Sequence, residues 1–150
     1  MKTIKLLAVC MLALFAAGCT REEEPAPEVP AAGTVIFVNE VTDTDVWILA
    51  GTEENRKTTV WGTPAVRGLK VNTETEAQLC EPAENGLYLI RMISAGKIYF
   101  SADDVALEDG WTMRFRVGEY YNDNPVSWVL EVTDTEGNPV ETYEVFGAAL

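Results

Sequence analysis

The sequence predicts an all-β fold, a small antiparallel β-sandwich, for residues 34–150. Apolar residues in this segment alternate with polar ones at the two-residue period of a strand, and a helical period is absent. Turn-forming residues interrupt the alternation about every eight to twelve positions, which is typical of sandwiches and barrels and predicts about eight strands. The segment has the length of one ordinary domain, so one hydrophobic core is expected.

The strands follow from the position of the apolar runs. The clearest predicted strands are residues 34–40, 46–50, 87–94, 97–101, 111–117, 127–133 and 140–146. Weaker patterns predict strands at residues 58–61, 69–71 and 74–80. Ala95-Gly96 predicts a hairpin turn between residues 87–94 and 97–101.

Other segments are predicted to be irregular or helical. Ser101 followed by two aspartates predicts an N-capped helical turn over residues 102–107. Residues 51–57 and 118–125 are predicted to be loops. Tryptophans at positions 47, 111 and 128 lie in apolar strand patterns and are expected in the core.

The N-terminus has the pattern of an export signal. Lys2 and Lys5 precede an apolar segment at residues 6–17, which is too short to span a bilayer and suits a signal peptide. Residues 1–18 are therefore predicted to be removed. This removal takes two lysines and no acid, and it changes the net charge from −13 to −15.

The end of this segment, Leu14-Phe15-Ala16-Ala17-Gly18-Cys19, resembles the lipobox of bacterial lipoproteins. The resemblance implies that Cys19 receives a diacylglycerol on its sulfur, becomes the first residue and is acylated on its amino group. The family prefers Leu, Val or Ile where this chain has Ala16. Thr20 instead of Asp after the cysteine implies an outer-membrane location, facing the periplasm or the cell surface. The alternative is an ordinary signal peptide, because Ala16-Ala17-Gly18 also suits the general signal peptidase.

Residues 19–33 are predicted to be the lipidated cysteine and a flexible tether. The segment is rich in Glu, Pro and Ala and too polar to form a core. Pro25, Pro27 and Pro30 favour an extended form, which at about 3.1 Å per residue spans roughly 40 Å.

Charge and cysteine content limit the partners. A net charge of −13 excludes nucleic acid as a partner and disfavours docking on anionic headgroups. Cys10 would leave with the signal peptide and Cys19 would carry lipid, so Cys80 would remain as a small buried apolar residue.

Several enzyme classes are excluded by residue type. The chain has no histidine, which removes Ser-His-Asp and Cys-His catalysis and histidine-bound zinc. It also has no phosphate loop and no Cys-x-x-Cys motif. Paired acids leave open a small carboxylate-dependent hydrolase of cell-wall or surface glycans. The pairs fall in predicted turns, where solvated acids are expected: Asp43 and Asp45, Glu53 and Glu54, Asp103 and Asp104, Glu108 and Asp109, Asp134 and Glu136.

The same acidic turns allow a calcium site. Carboxylate and carbonyl oxygens are the ligands that Ca²⁺ prefers, although no turn fits the EF-hand pattern. The candidate ligands are Asp43, Asp45, Asp123 and Asp134. No other cofactor is expected, and calcium-dependent adhesion is one alternative function.

A ligand site is predicted at the 118–125 loop. Tyr120 and Tyr121 precede Asn122, Asp123 and Asn124, a composition suited to stacking and hydrogen bonding with a sugar or a peptide. Trp61 is a further candidate for the same site. The alternative is that one tyrosine packs beneath the loop and the polar residues only satisfy the turn.

Residues 87–117, with the strings YLIRM, AGKIYFS and LEDGWTMRF, resemble the hairpin of small immunoglobulin-like or prealbumin-like sandwiches of secreted bacterial proteins. This resemblance implies a scaffold and no activity. Together the observations predict a membrane-anchored envelope lipoprotein with a non-catalytic binding or structural module. Its partner would be an envelope protein, a peptide or a glycan.

Overall fold

A computed structural model describes residues 32–150. The predicted signal peptide at residues 1–18, Cys19 and most of the predicted tether lie outside the described residues. The predicted all-β fold is confirmed, with 61% strand and 4% helix. Within the described residues, no helix has the length and apolar character to cross a membrane.

Nine strands and one short helix follow one another within residues 32–150. They are β1 (Gly33–Asn39), β2 (Thr44–Ala50), α1 (Glu53–Lys57), β3 (Val66–Leu69), β4 (Thr73–Leu79), β5 (Leu87–Ser94), β6 (Ile98–Ala106), β7 (Thr112–Tyr121), β8 (Asn124–Thr133) and β9 (Pro139–Ala149).

The strands form one continuous sheet that is nearly closed into a barrel-like shape. Its order is β3-β2-β5-β6-β9-β8-β7-β1-β4. Neighbours in this order pair antiparallel, except that β1 and β7 pair parallel. The expected antiparallel sandwich therefore becomes a curled, mixed sheet, because long β9 belongs to both of its halves.

Strand β9 changes partner along its length. Its first part, through Val145, pairs with β8, and its last part, from Phe146 to Ala149, pairs with β6. Side chains of both halves meet in one core, where Phe100 of β6 contacts Phe115 of β7 edge-on at 5.2 Å between ring centroids.

Gly147 occupies the tightest point of this junction. It lies opposite Phe100, whose ring also meets Trp128 edge-on at 5.2 Å. A Cβ at position 147 would lie 2.9 Å from Cζ3 of Trp128 and 3.1 Å from Cδ1 of Phe100. The two aromatic rings thus fill the space in which a larger residue would need to fit.

Two predicted interruptions are regular strand. The helical turn at residues 102–107 is wrong, because β6 continues through Ala106 with an irregularity near Asp104, whose φ is 58°. The 118–125 loop is also wrong, because β7 and β8 form a long hairpin closed by Asn122 and Asp123. These two residues have φ values of 47° and 62°, as a type I′ turn requires.

Residues 51–65, here called the strap, also differ from the prediction. The predicted loop at residues 51–57 contains α1, whose N-cap Thr52 accepts a hydrogen bond from the Asn55 amide at 3.1 Å. The predicted strand at residues 58–61 is wrong, since this segment is irregular. The backbone of the strap forms hydrogen bonds within α1 and one to β5, from Gly51 N to Leu87 O at 2.9 Å. These bonds take the place of pairing within a sheet.

The three strand tryptophans divide between the two faces of the sheet. Trp111 and Trp128 pack against the core, as predicted. Trp47 does not, because the alternation of β2 buries Val46 and Ile48 on the opposite face. The core prediction for Trp47 is therefore wrong, and its ring lies on the outer face of the sheet.

We expect Gly147→Val to destabilise the protein by about 1–3 kcal/mol, because the new side chain would have to displace two packed aromatic rings. The matched control is Ala149→Val, an exposed position of the same strand that should change stability by less than about 0.5 kcal/mol. Urea unfolding followed by circular dichroism measures both, and equal unfolding midpoints would contradict this role of Gly147.

Candidate ligand-binding groove

The strap and the outer face of the sheet enclose a groove. Asn55 donates from Nδ2 to the Ala50 carbonyl at 2.9 Å, and Arg56 forms an ion pair with Asp104 on β6. These contacts hold the strap beside the sheet and leave a cavity of about 530 Å³, a size suited to a small ligand. The lining residues are Arg56, Lys57, Thr58, Thr59 and Trp61 of the strap, Arg91 and Ile93 of β5, Tyr99 of β6, and Leu150.

The groove has an aromatic wall. The Trp61 ring stacks on Tyr99 with centroids 5.5 Å apart and planes inclined by 21°. On another side it meets the Trp47 ring edge-on, also at 5.5 Å. Trp61 Nε1 donates to the Thr58 carbonyl at 3.1 Å, and Trp47 Nε1 donates to the Gly62 carbonyl at 3.1 Å. These contacts fix the Trp61 ring before any ligand arrives.

A buried arginine lies at the base of the groove. Arg91 is 6% exposed, and its Nη1 donates to Asp103 Oδ1 at 2.6 Å, to the Ile90 carbonyl at 3.0 Å and to the Ala102 carbonyl at 3.3 Å. Burial of a charge is costly unless it is paired and hydrogen-bonded, and these acceptors meet that requirement. Arg91 is therefore held as a fixed cation.

Two aspartates beside the groove also position Arg56 at its rim. Arg56 bonds to Asp104, and its Nη1 lies 3.8 Å from Asp103 Oδ2. The hydrogen bond with Asp104 raises the pKa of Arg56 further above its ordinary value. Among the described residues that line the groove, three have basic side chains and none has an acidic side chain, which contrasts with the net charge of −13 for the chain.

The structure separates the predicted ligand-binding residues. Tyr120 and Tyr121 lie near the tip of the β7–β8 hairpin and are 65% and 70% exposed, so neither packs beneath the turn. Asn122 and Asp123 form the turn, and Asn124 donates from Nδ2 to the Asn122 carbonyl at 2.9 Å. The ring contacts of Trp61 are with Trp47 and Tyr99 in the groove. The hairpin tip and the groove are thus two surfaces.

The first two candidate calcium ligands bind protein donors. Asp43 accepts from Lys70 Nζ at 2.7 Å and from the Val71 amide at 2.9 Å, and Asp45 accepts from the Gly68 amide at 2.5 Å. The Lys70 hydrogen bond is the main cause that lowers the pKa of Asp43. Both carboxylates thereby connect the start of β2 to β3 and to the turn that follows β3.

The other two candidate calcium ligands lie in separate turns. Asp134 accepts from the amides of Asn138 at 2.8 Å and Glu136 at 2.9 Å, and bonds with Asn138 lower its pKa. Asp123 forms part of the β7–β8 turn. No group of three potential metal-ligating side chains converges anywhere in residues 32–150, so the structure does not bring the four aspartates together.

At least one acid of each pair considered for hydrolysis has a structural contact. Asp103 and Asp104 bind arginines, Glu53 pairs with Lys57 at 3.2 Å, and Asp109 accepts from the Thr34 amide at 2.8 Å. No Asp or Glu side chain is among the described residues that line the groove, so the lining does not supply the pair of carboxylic side chains that glycoside hydrolysis uses.

Sequence reasoning missed Tyr99, Arg91 and Ile93 as groove residues. The available signal is that the apolar Leu89 and Ile93 flank Arg91 on the same face of the strand LYLIRMIS, which indicates that another segment covers this face. No protein-family model, curated protein or solved structure matches the chain. The evidence for a site is therefore the geometry of the groove, in which aromatic faces and basic side chains suit recognition of a ligand.

Cys80 lies apart from this groove, at the seam between β2 and β4. It lines a second cavity of about 360 Å³ with Ile48 and Leu79, and its Sγ donates to the Ile48 carbonyl at 3.4 Å. Burial raises the pKa of the Cys80 thiol above its ordinary value. The thiol is thus kept protonated near neutral pH and is a poor nucleophile.

We expect iodoacetamide to alkylate Cys80 at least about tenfold more slowly in the folded protein than in urea, because the reacting thiolate is scarce and shielded in the fold. Mass spectrometry of the peptide that contains Cys80 measures the rate without interference from other cysteines. A model peptide with the same sequence provides the unshielded reference. Equal rates in the folded protein and the peptide would contradict the burial of this thiol.

Proposed function

We propose that this protein is an exported, lipid-anchored envelope lipoprotein whose β-domain is a non-catalytic binding module. The binding site is the groove between the strap and the outer face of β5 and β6. The observation that carries this proposal is the fixed Trp61–Tyr99 wall beside the buried cation Arg91. Such preorganisation lowers the cost of ordering side chains when a ligand binds.

Binding is favoured over catalysis by the residue types that are present. The chain lacks histidine, and the groove is lined by aromatic, aliphatic, threonine and basic side chains. These groups stack on, hydrogen-bond and neutralise a ligand, but they offer neither a general base near neutral pH nor an activated nucleophile.

The N-terminal sequence supports anchoring of this module. Cys19 follows an apolar export segment, and the residues between it and β1 are rich in Glu and Pro. A lipid on Cys19 would hold the module at the outer membrane, on the periplasmic or the cell-surface side. Extended tether residues at about 3.1 Å each allow it to reach an envelope protein, peptide or glycan roughly 40 Å away.

Replacement of the anchoring residue tests the location. We expect Cys19→Ala to abolish labelling of the protein with radioactive palmitate and its presence in outer-membrane fractions, because the acyl chains have no sulfur to join. Cys10→Ala is the matched control, since it removes a cysteine from the predicted signal peptide and should leave the label unchanged. Palmitate labelling of Cys19→Ala that equals the unsubstituted protein would refute the anchor.

Photocrosslinking in the intact envelope tests which surface binds. We expect a photoreactive phenylalanine analogue at position 59, on the groove, to form adducts with envelope material, and Trp61→Ala to remove them because it removes the aromatic wall. The matched position is 121, at the exposed hairpin tip. Adducts at position 121 with none at position 59 would contradict the groove as the binding site.

A further inference from the structure

We infer that the ligand of the groove is a carboxylated sugar, such as a uronic acid unit of an envelope polysaccharide. The carboxylate would bind the guanidinium of Arg91, and the sugar ring would lie against the wall formed by Trp61 and Tyr99. This inference rests on the proposed function, in which the groove is a binding site. It adds the chemical class of the ligand.

The hydrogen bonds of Arg91 leave one edge of its guanidinium available. In the described part of the chain, its bonds all come from Nη1, while Nε and Nη2 have no protein acceptor. Neither nitrogen is a fully buried, unsatisfied atom, so each keeps a small exposed area within the 6% exposure of the residue. The Nε–Nη2 edge presents two parallel N–H donors, the geometry that a carboxylate accepts in a bidentate pair.

The basic side chains that line the groove provide a local positive charge for an anion. Arg56 and Lys57 stand at the rim above Arg91, on a protein whose net charge of −13 otherwise repels anions. The ion pair of Lys57 with Glu53 is exposed to water on both sides and contributes little, so Lys57 remains available to a ligand. The aspartates that bind Arg91 and Arg56 fix the two guanidiniums in place.

A sugar fits the groove better than a peptide. The floor is formed by β5 and β6, each of which is paired with neighbours on both sides, so no free strand edge is available to a peptide backbone. Recognition must come from side chains, and the groove offers the aromatic side chains of Trp61 and Tyr99 beside basic donors. Flat apolar rings with polar neighbours suit the apolar face of a sugar and its hydroxyl groups.

The aromatic surface continues beyond the groove. Phe146 on β9 lies in register with Ser101 on β6, and Ser101 lies in register with Arg91, so their side chains share the outer face. Phe146 is 68% exposed, which is unusual for a large apolar side chain and provides a second ring surface. A polysaccharide that enters at Arg91 therefore has a further aromatic contact along its length.

The test measures binding of the mature protein to trigalacturonate by calorimetry and tryptophan fluorescence. Its methyl ester has the same rings without charge, and triaspartate has the charge without rings. We expect the acid to bind at least about tenfold more tightly than the ester, because a bidentate charged pair is lost in the ester. Triaspartate should bind more weakly than trigalacturonate. Equal affinity for acid and ester, tighter binding of triaspartate, or no binding of trigalacturonate at millimolar concentration would overturn the inference.

Substitutions test whether trigalacturonate binds in the groove. Trp61→Ala and Arg91→Lys should each weaken binding of trigalacturonate at least about tenfold, the second because lysine keeps the charge but loses the bidentate edge. Tyr121→Ala at the hairpin tip is the matched control and should bind as the unsubstituted protein does. Arg56→Gln, at the rim, tests the charge if Arg91→Lys does not fold, and it should weaken binding of the acid but not of the ester. Unchanged affinity in Trp61→Ala would overturn the inference.

The outcome also separates this inference from the proposed function. Crosslinks at position 59 without trigalacturonate binding would retain the groove as a binding site and overturn the carboxylated sugar. Loss of both the crosslinks and the binding would overturn both.

Discussion

The change of partner along β9 is the constraint on which the remaining structure depends. Because its first part pairs with β8 and its last part with β6, the sheet curls and its two halves share one core. A glycine is required at position 147, next to the change of partner, because Phe100 and Trp128 leave no space for a side chain there. The preceding residue, Phe146, lies on the outer face of the sheet. The pairing of β9 with β6 therefore also adds an aromatic ring to that face.

A second constraint is the burial of Arg91, which links the core strands to the strap. A buried guanidinium needs acceptors, and β6 supplies the Ala102 carbonyl and the Asp103 carboxylate. Asp103 and Asp104 also attract Arg56, which belongs to the strap. The charges that satisfy Arg91 therefore also position the segment that covers it, and the groove is a consequence of this arrangement.

Local patterns predicted the strands that have a strong alternation, but not the pairings that depend on distant residues. β5 and the start of β6 were predicted because Ala95-Gly96 joins two apolar runs. The partner change of β9 has no local signal, since it depends on pairing with β6 and β8, two different strands. The hairpin tip has the sequence of a loop because its polar residues suit both a loop and an exposed strand end. Trp47 was assigned to the core because a continuous apolar run does not reveal which face is covered by another segment.

The two parts of the proposed function differ in how far a sequence can reveal them. The proposed export and lipidation signal is a linear stretch around Cys19, so the residues that would carry it are adjacent in the chain. The groove instead combines Trp61 of the strap, Arg91 of β5 and Tyr99 of β6, which only the fold brings together. Its basic lining on an acidic chain is likewise invisible in composition, because a net charge averages over the surface that a ligand meets locally. The location of such a protein can therefore be predicted from its first residues, whereas the chemistry of its ligand has to be inferred from the folded face.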